Sequence, residues 1–343
     1  MRVGIFGAGA IGCYLGARLA AHGQRVTLVG RASLADEVAR AGGVTLTDYR
    51  GFERKVSVDV STSASALAEC EAVIVTVKSS DTAAAGEELA RVLPEAGASC
   101  TVVSLQNGVR NAEVLRAKLG ARRVCAAMVP FNVLRRDAAR FHQGTGGELA
   151  FERSPATEAL ARACVEAGLE ASVYDDVAPI QWGKLLVNLN NAINALAGVP
   201  IKSMLADRGY RRVIAACVGE GYEVVRRTGI QPKLPIKVPL PVMLAALRAP
   251  DFVYVLASRA LPPIDPLARS SMWDDLERGR RTEIQALNGE VVALAKARGL
   301  AAPVNEAIVA LIEGVEQARA RDGQSRSPNL SASELLRAVG DRA

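Results

Sequence analysis

Lys184, Asn188 and Asn191 form a polar stripe in QWGKLLVNLNNAINAL (181–196), a stretch that otherwise reads as an apolar helix. Four asparagines fall there: Asn188, Asn190, Asn191 and Asn194. They run against helix propensity, because the asparagine amide competes with the backbone for hydrogen bonds. At about 100° per residue the three stripe residues lie within about 60° of one another. Leu185, Leu186, Leu189, Ala192, Ile193 and Leu196 take most of the remaining circumference. A helix so apolar is buried, and its stripe then needs polar partners. A ligand cleft supplies them, whereas a solvated face mixes charges. The lysine adds proton chemistry. Only eight of the 42 Lys and Arg residues are lysine. A desolvated lysine, unlike an arginine, can release its proton near ordinary pH.

A second polar group lies in SSMWDDLERGRRTEIQALNGEVVALA (270–295). Ser270 and Ser271 precede a helix read over 274–298, whose first turn carries Asp274 and Asp275, a usual N-terminal charge pattern. Glu283 falls within that helix, where a glutamate taken alone belongs to the surface.

The N-terminus supplies a third constellation. MRVGIFGAGAIGCYLGARLAAHGQRVTLVGR reads as strand, glycine-rich turn, helix, turn and strand. Gly7, Gly9 and Gly12 have G-x-G-x-x-G spacing between the strand and the helix, the context in which this motif binds a dinucleotide. Gly7 allows the tight turn, Gly9 lets the backbone approach a pyrophosphate, and Gly12 lets the helix pack on the sheet. The cradle is therefore Gly7, Ala8, Gly9, Ala10, Ile11 and Gly12, with the pyrophosphate at the helix N-terminus. The second strand (26–29) then runs into Gly30 and Arg31, and the first acid after it is Asp36. NAD sites carry a carboxylate at that strand end, which a 2′-phosphate would meet as repulsion. Arg31 can instead pair with the phosphate bidentately, so the expected cofactor is NADPH/NADP+.

The elements that must position these groups alternate through the first half. AVIVTVKSS (72–80) reads as a buried strand ending near Lys78, and CTVVSLQNGV (100–109) as another ending near Asn107. RVCAAMVPFNV and GELAFER follow as further strands. In doubly wound sheets ligands bind beyond the carboxyl ends of strands, so Lys78 and Asn107 are expected to face cofactor or substrate. After VYDDVAPIQWGK the alternation stops. Helices are expected at about 180–197, 207–228, 274–298, 303–321 and 331–340, and the proline-rich stretch 229–270 reads as partly irregular. The expected architecture is an α/β Rossmann-type NADP-binding domain over residues 1–175, followed by an all-α substrate and catalytic domain over 176–343.

Composition excludes several function classes. The chain has 343 residues, half of them apolar and 23% charged, as in a globular protein of two domains. No apolar run has the length of a membrane span, and the glycine-broken N-terminus is no signal peptide, so a cytoplasmic protein is expected. The six cysteines form no C-x-x-C pair and only His22 and His142 are present, which disfavours zinc, disulfides and histidine acid–base chemistry. The net charge of +6 is scattered, without a basic run interleaved with aromatics, so nucleic acid is not an expected partner.

Taken together, GAGAIG, Arg31, TVKSSDT, SLQNGV, WGKLLVNLNNAINAL and SSMWDDLERGRRTEIQALNG resemble the ketopantoate reductase family, within the 6-phosphogluconate-dehydrogenase-like group. The resemblance covers nearly the whole chain. It implies NADPH-dependent reduction of 2-dehydropantoate, a small 2-keto acid, to (R)-pantoate, a pantothenate precursor. It also implies Lys184 as general acid, with Asn188 and Ser271 holding the substrate. The resemblance further implies that Glu283 assists catalysis and orientation, and that Lys78 and Asn107 line the cofactor–substrate junction. One departure stands out. Relatives often read K-x-x-x-N-x-x-x-N, but the last position here is Ala192; Asn191 is its expected substitute and Asn194 the other candidate. Such helical second domains form monomers and homodimers alike. Three other readings keep the cofactor half: a reductase of another branched 2-keto acid, an opine- or hydroxyacid-type dehydrogenase, and a non-catalytic NADP-binding regulator. The stripe counts against the second of these, and Lys184 with Glu283 against the third.

Overall fold

The apolar run at the start of the chain becomes β1 (Arg2–Phe6), buried from Val3 onward and paired on both sides. Strands covered on both faces read as continuous apolar runs, which is why the parallel core of the sheet was readable. The structure is a computed structural model that describes residues 1–93, 100–120, 123–235, 238–258, 265, 268–322 and 327–340. Its two units are Met1–Gln181 and Trp182–Ala343.

In the first unit, α1 (Ala10–Ala20), β2 (Arg25–Val29), α2 (Ala32–Ala41), β3 (Val44–Asp48), β4 (Glu53–Val56) and β5 (Asp59–Ser61) follow β1. Then come β6 (Ala72–Val75), α3 (Thr82–Val92), β7 (Thr101–Ser104), α4 (Asn111–Leu119), β8 (Val124–Met128), β9 (Val133–Arg136) and β10 (Arg140–Gln143). The run closes with β11 (Leu149–Glu152), α5 (Pro155–Glu166) and β12 (Ala171–Tyr174). Eight strands form one sheet in the order β12-β11-β8-β7-β6-β1-β2-β5. Its described pairings are parallel except β11 against β8. α1 buries Cys13, Tyr14, Leu15, Ala17 and Leu19 completely. The expected Rossmann-type α/β architecture is present.

A second sheet, β4-β3-β10-β9, is absent from the sequence reading. RVCAAMVPFNV, expected as one strand, is two: β8 ends at Met128, and β9 belongs to the other sheet. Pro130 between them has no N–H to continue a ladder. The strands read over 72–80 and 100–109 end earlier, at Val75 and Ser104. Side chains take over from the ladder there: Thr76 Oγ1 donates to the Gly7 carbonyl at 2.7 Å, and Gln106 Nε2 to that of Val77 at 3.1 Å.

α6 (Ala178–Asn188) carries the chain into the second unit, which is helical. It contains α7 (Asn190–Ala197), α8 (Ile201–Ala206), α9 (Arg208–Arg227), α10 (Leu240–Arg248), α11 (Asp251–Ser258), α12 (Ser271–Glu277), α13 (Asn288–Ala297), α14 (Pro303–Asp322) and α15 (Ala332–Val339). The expected helices at 207–228, 303–321 and 331–340 are α9, α14 and α15. The helix read over 180–197 breaks at Leu189, whose N–H is shared between the carbonyls of Leu185 at 3.1 Å and Leu186 at 3.4 Å. Asn190 Nδ2 donates to the Val187 carbonyl beside the break, the backbone competition expected of asparagine. The helix read over 274–298 is α12 and α13, separated by a glycine-terminated turn. Gly279 has φ +68°, and Arg280 N–H donates back to Asp275 at 2.8 Å. Glu283 therefore lies in the connection before a short 3₁₀ turn (Ile284–Ala286), not within a helix. The stretch 229–270 is more ordered than expected, holding α10 and α11; residues 236–237, 259–264 and 266–267 lie outside the described residues.

Arg211 on α9 is completely buried and explains how α10 and α11 are held. It donates to the carbonyls of Leu205, Ala206, Leu247 and Ala249, and pairs with Asp251 at 2.7 Å. These carbonyls close the ends of α8 and α10, where helices lack internal donors. Arg211→Met should cost about 3–5 kcal/mol, because several buried acceptors lose their donor at once. Chemical denaturation reads this. A loss within a few tenths of a kcal/mol would show that water replaces the guanidinium without cost.

Among the described residues, no helix is long and apolar enough to cross a membrane. Nor is any group of three or more His, Cys, Asp and Glu side chains placed to hold a metal ion.

Candidate active site

The glycine loop after β1 is shaped by what its residues lack. Gly7 has φ +93°, and a Cβ there would fall 2.5 Å from Val77 Cγ1. A Cβ on Gly12 would fall 2.5 Å from Thr76 Oγ1 and 2.8 Å from Ile5 Cγ2. Gly9 differs: a Cβ would meet only the Gly7 carbonyl, at 3.8 Å, so its outer side is open. Gly9 is also the N-cap of α1, with no side-chain cap and no acid in the first turn. The N–H groups of Ala10, Ile11 and Gly12 thus begin the helix without a side-chain acceptor, at the positive end of its dipole. Ala8 N–H is taken up by the Val29 carbonyl at 2.9 Å, which fixes the loop on β2. An open backbone face over uncapped N–H groups fits a pyrophosphate.

Arg31 stands at the end of β2 as the exposed N-cap of α2, another helix start with no side-chain cap and no first-turn acid. Gly30 before it packs so closely that a Cβ would be 3.1 Å from Ala8 Cβ. Arg31 therefore follows directly on the glycine loop, with Asp36 the first acid beyond it.

Lys78 and Asn107 both lie just past strand ends, as expected, half-buried in the loops after β6 and β7. The structure ties these loops together. Ser79 Oγ donates to the Asn107 carbonyl at 3.0 Å, and Asn111 Nδ2 donates to the same carbonyl at 2.6 Å. Behind them Gln106 Nε2 donates to Thr82 Oγ1 at 2.7 Å, and Thr82 Oγ1 donates to Asn111 Oδ1 at 2.8 Å. The sequence reading missed Gln106, Thr82 and Asn111 as supports. Gln106 follows an apolar strand, and Thr82 and Asn111 open α3 and α4, where a short polar residue reads as an ordinary helix start.

In the helical unit Lys184 is half-buried on α6, and desolvation pulls its ammonium down to about 8. One turn on, Asn188 is 9% exposed, yet its side-chain amide has no hydrogen-bond partner among the described residues. Its amide can therefore serve a ligand. Asn191 is half-buried with its side chain likewise unpartnered among the described residues, while its carbonyl accepts from Ser270 Oγ at 3.0 Å. Ser271, exposed, is the first residue of α12. Glu283 is half-buried, and its segment is held on α14 by Thr282 N–H donating to Glu316 at 2.7 Å.

The two remaining asparagines serve the fold. Asn190 bonds its own helix, as described above. Asn194 is completely buried, accepting from Ser270 N–H at 2.9 Å and donating to the Val199 carbonyl at 2.8 Å. Of the two candidates for the second asparagine, Asn194 has its amide occupied at both ends, whereas Asn191 has no described side-chain partner.

The chain has known counterparts. The family model described as ketopantoate reductase PanE/ApbA matches residues 3–156, and its C-terminal counterpart matches 176–316. The chain is 30% identical to a 2-dehydropantoate 2-reductase of Archaeoglobus fulgidus, over 92% of this chain and 98% of that one. It also resembles the crystal structure of a PanE/ApbA family ketopantoate reductase from Ralstonia eutropha, with TM-score 0.79 and 31% identity over 93% of this chain and 100% of that one. A D-mandelate dehydrogenase solved with NADH and anilino(oxo)acetate shares the fold at TM-score 0.75 and 19% identity, over 93% of this chain and 99% of that one. With both halves matched in order and relatives aligned along nearly their whole length, the chain belongs to the ketopantoate reductase family of oxidoreductases.

Proposed function

We propose that the protein reduces 2-dehydropantoate to (R)-pantoate with NADPH, supplying pantothenate and coenzyme A synthesis, with Lys184 as general acid. The observation that carries this reading is Lys184, its proton affinity lowered by desolvation to about 8, one turn before the unpartnered amide of Asn188. In the first domain, about residues 1–175, the N–H groups of the glycine loop receive the pyrophosphate and Arg31 pairs with the 2′-phosphate. When bound, the reduced nicotinamide supplies a hydride to a ketone carbon. Lys78 and Asn107 line the junction of cofactor and substrate.

In the second domain, about residues 176–343, Lys184 stabilises the oxygen of the substrate ketone as negative charge develops, then donates the proton that makes it a hydroxyl. An ammonium near 8 is suited to this, being charged at neutral pH yet a much better proton donor than an ordinary lysine. Asn188, Asn191 and Ser271 offer amide and hydroxyl donors to the substrate carboxylate. Glu283 accepts the terminal hydroxyl or keeps Lys184 oriented.

A spectrophotometric panel of 2-keto acids with NADPH and with NADH tests the reading. Preferred turnover of 2-dehydropantoate with NADPH is expected. Preference for another branched 2-keto acid would reassign the substrate, and no turnover of any would leave a binding protein. Glu283→Gln keeps shape and removes charge. It should lower kcat or raise KM about tenfold or more, the size of one hydrogen bond to a charged group, with NADPH binding unchanged. Full activity would return Glu283 to a structural role.

A further inference from the structure

Ser270, the residue that starts α12, is held against α7 by two bonds one helical turn apart. Its N–H donates to Asn194 Oδ1 at 2.9 Å, and its Oγ donates to the Asn191 carbonyl at 3.0 Å. The same Oγ accepts from Trp273 N–H at 3.2 Å and so caps α12. Two attachments a turn apart fix both the height and the rotation of Ser270 on α7, which one bond would leave free. Ser271 is the next residue.

Asn194 has no solvent-exposed surface, and its Nδ2 is anchored in turn on the Val199 carbonyl. A leucine there would fill similar space without polar groups to satisfy and with better helix propensity. The amide is therefore explained by what it holds. We propose that Asn194 is a positioning residue: through Ser270 it sets Ser271 relative to the Asn188 and Asn191 amides, and so tunes affinity for the 2-keto acid carboxylate without touching it. This rests on the functional reading above.

Ser327 provides an internal comparison. Its Oγ donates to the Ala195 carbonyl at 2.5 Å, and the side chain is also buried, but this bond leads to none of the site residues. Asn194→Ala removes the bonds from Ser270 N–H and to the Val199 carbonyl, and Ser327→Ala removes one buried bond to α7. KM for the 2-keto acid should rise about tenfold in Asn194→Ala, the net contribution of one hydrogen bond, with kcat within about threefold and NADPH affinity unchanged. Ser327→Ala should leave KM unchanged. Ser270→Ala, which removes the Oγ bond to the Asn191 carbonyl, should raise KM similarly, and the double variant with Asn194→Ala should raise it less than the product of the two, because the two bonds fix the same residue. If Asn194→Ala does not fold, Ser270→Ala carries the same comparison.

Hydrogen exchange of the Ser270 and Trp273 amides reads the attachment without any substrate. Both should exchange faster in Asn194→Ala and not in Ser327→Ala. Equal KM effects in the two variants, or unchanged exchange in Asn194→Ala, would overturn the proposal. If the wild type reduces no 2-keto acid, the functional reading fails and the substrate part of this proposal falls with it. The exchange result then decides separately whether Asn194 positions Ser271.

Discussion

Lys184→Met should lower kcat for reduction by about two to four orders of magnitude, the usual contribution of a positioned general acid. Methionine keeps a flexible chain of similar length and removes the proton. NADPH affinity should change little, because the glycine loop and Arg31 supply the phosphate contacts proposed above. Arginine at this position should rescue poorly: it keeps the charge but holds its proton at all ordinary pH values. A methionine variant within a few-fold of wild type would make the lysine structural.

Arg31→Ala should weaken NADPH by roughly 10–100-fold while leaving NADH nearly unchanged, since bonds to a charged group contribute about 1.5–3 kcal/mol. The exposed position of Arg31 places the effect toward the lower end of that range, and it should shrink further at high salt. Dissociation constants for both cofactors measure it. Equal losses would show that Arg31 does not read the 2′-phosphate and that NADP preference has another source.

Local chemistry was the readable part of this protein. The glycine loop needs only a strand, three glycines and a helix in sequence, and the structure places Gly7 and Gly12 where no side chain fits. The second sheet was hidden for the opposite reason. β4 (ERKV) and β9 (VLRR) are largely exposed and charged, and β3 pairs with β10 across nearly a hundred intervening residues, which no short window shows. α10 was hidden by its prolines, which at a helix start are favourable instead of disruptive. The break that removes Glu283 from a helix begins at Gly279, within a polar run (277–283) made otherwise mostly of Glu and Arg, which are good helix formers.

The asparagines mark the same limit at the site. Composition singled out all four, but only partners separate Asn190 and Asn194, bonded to backbone groups, from Asn188 and Asn191, whose amides have no described partner. Burial and partnership are long-range facts, and residue type does not encode them.

The most direct test of the account is the pH dependence of kcat/KM for reduction in the wild type and in Lys184→Met. Donation requires the protonated ammonium. Activity should therefore be level below the lowered pKa of Lys184 and fall tenfold per pH unit above about 8. In Lys184→Met that alkaline limb should vanish from the residual activity. A limb near 8 that persists in the variant would assign the proton to another group and contradict Lys184 as the general acid.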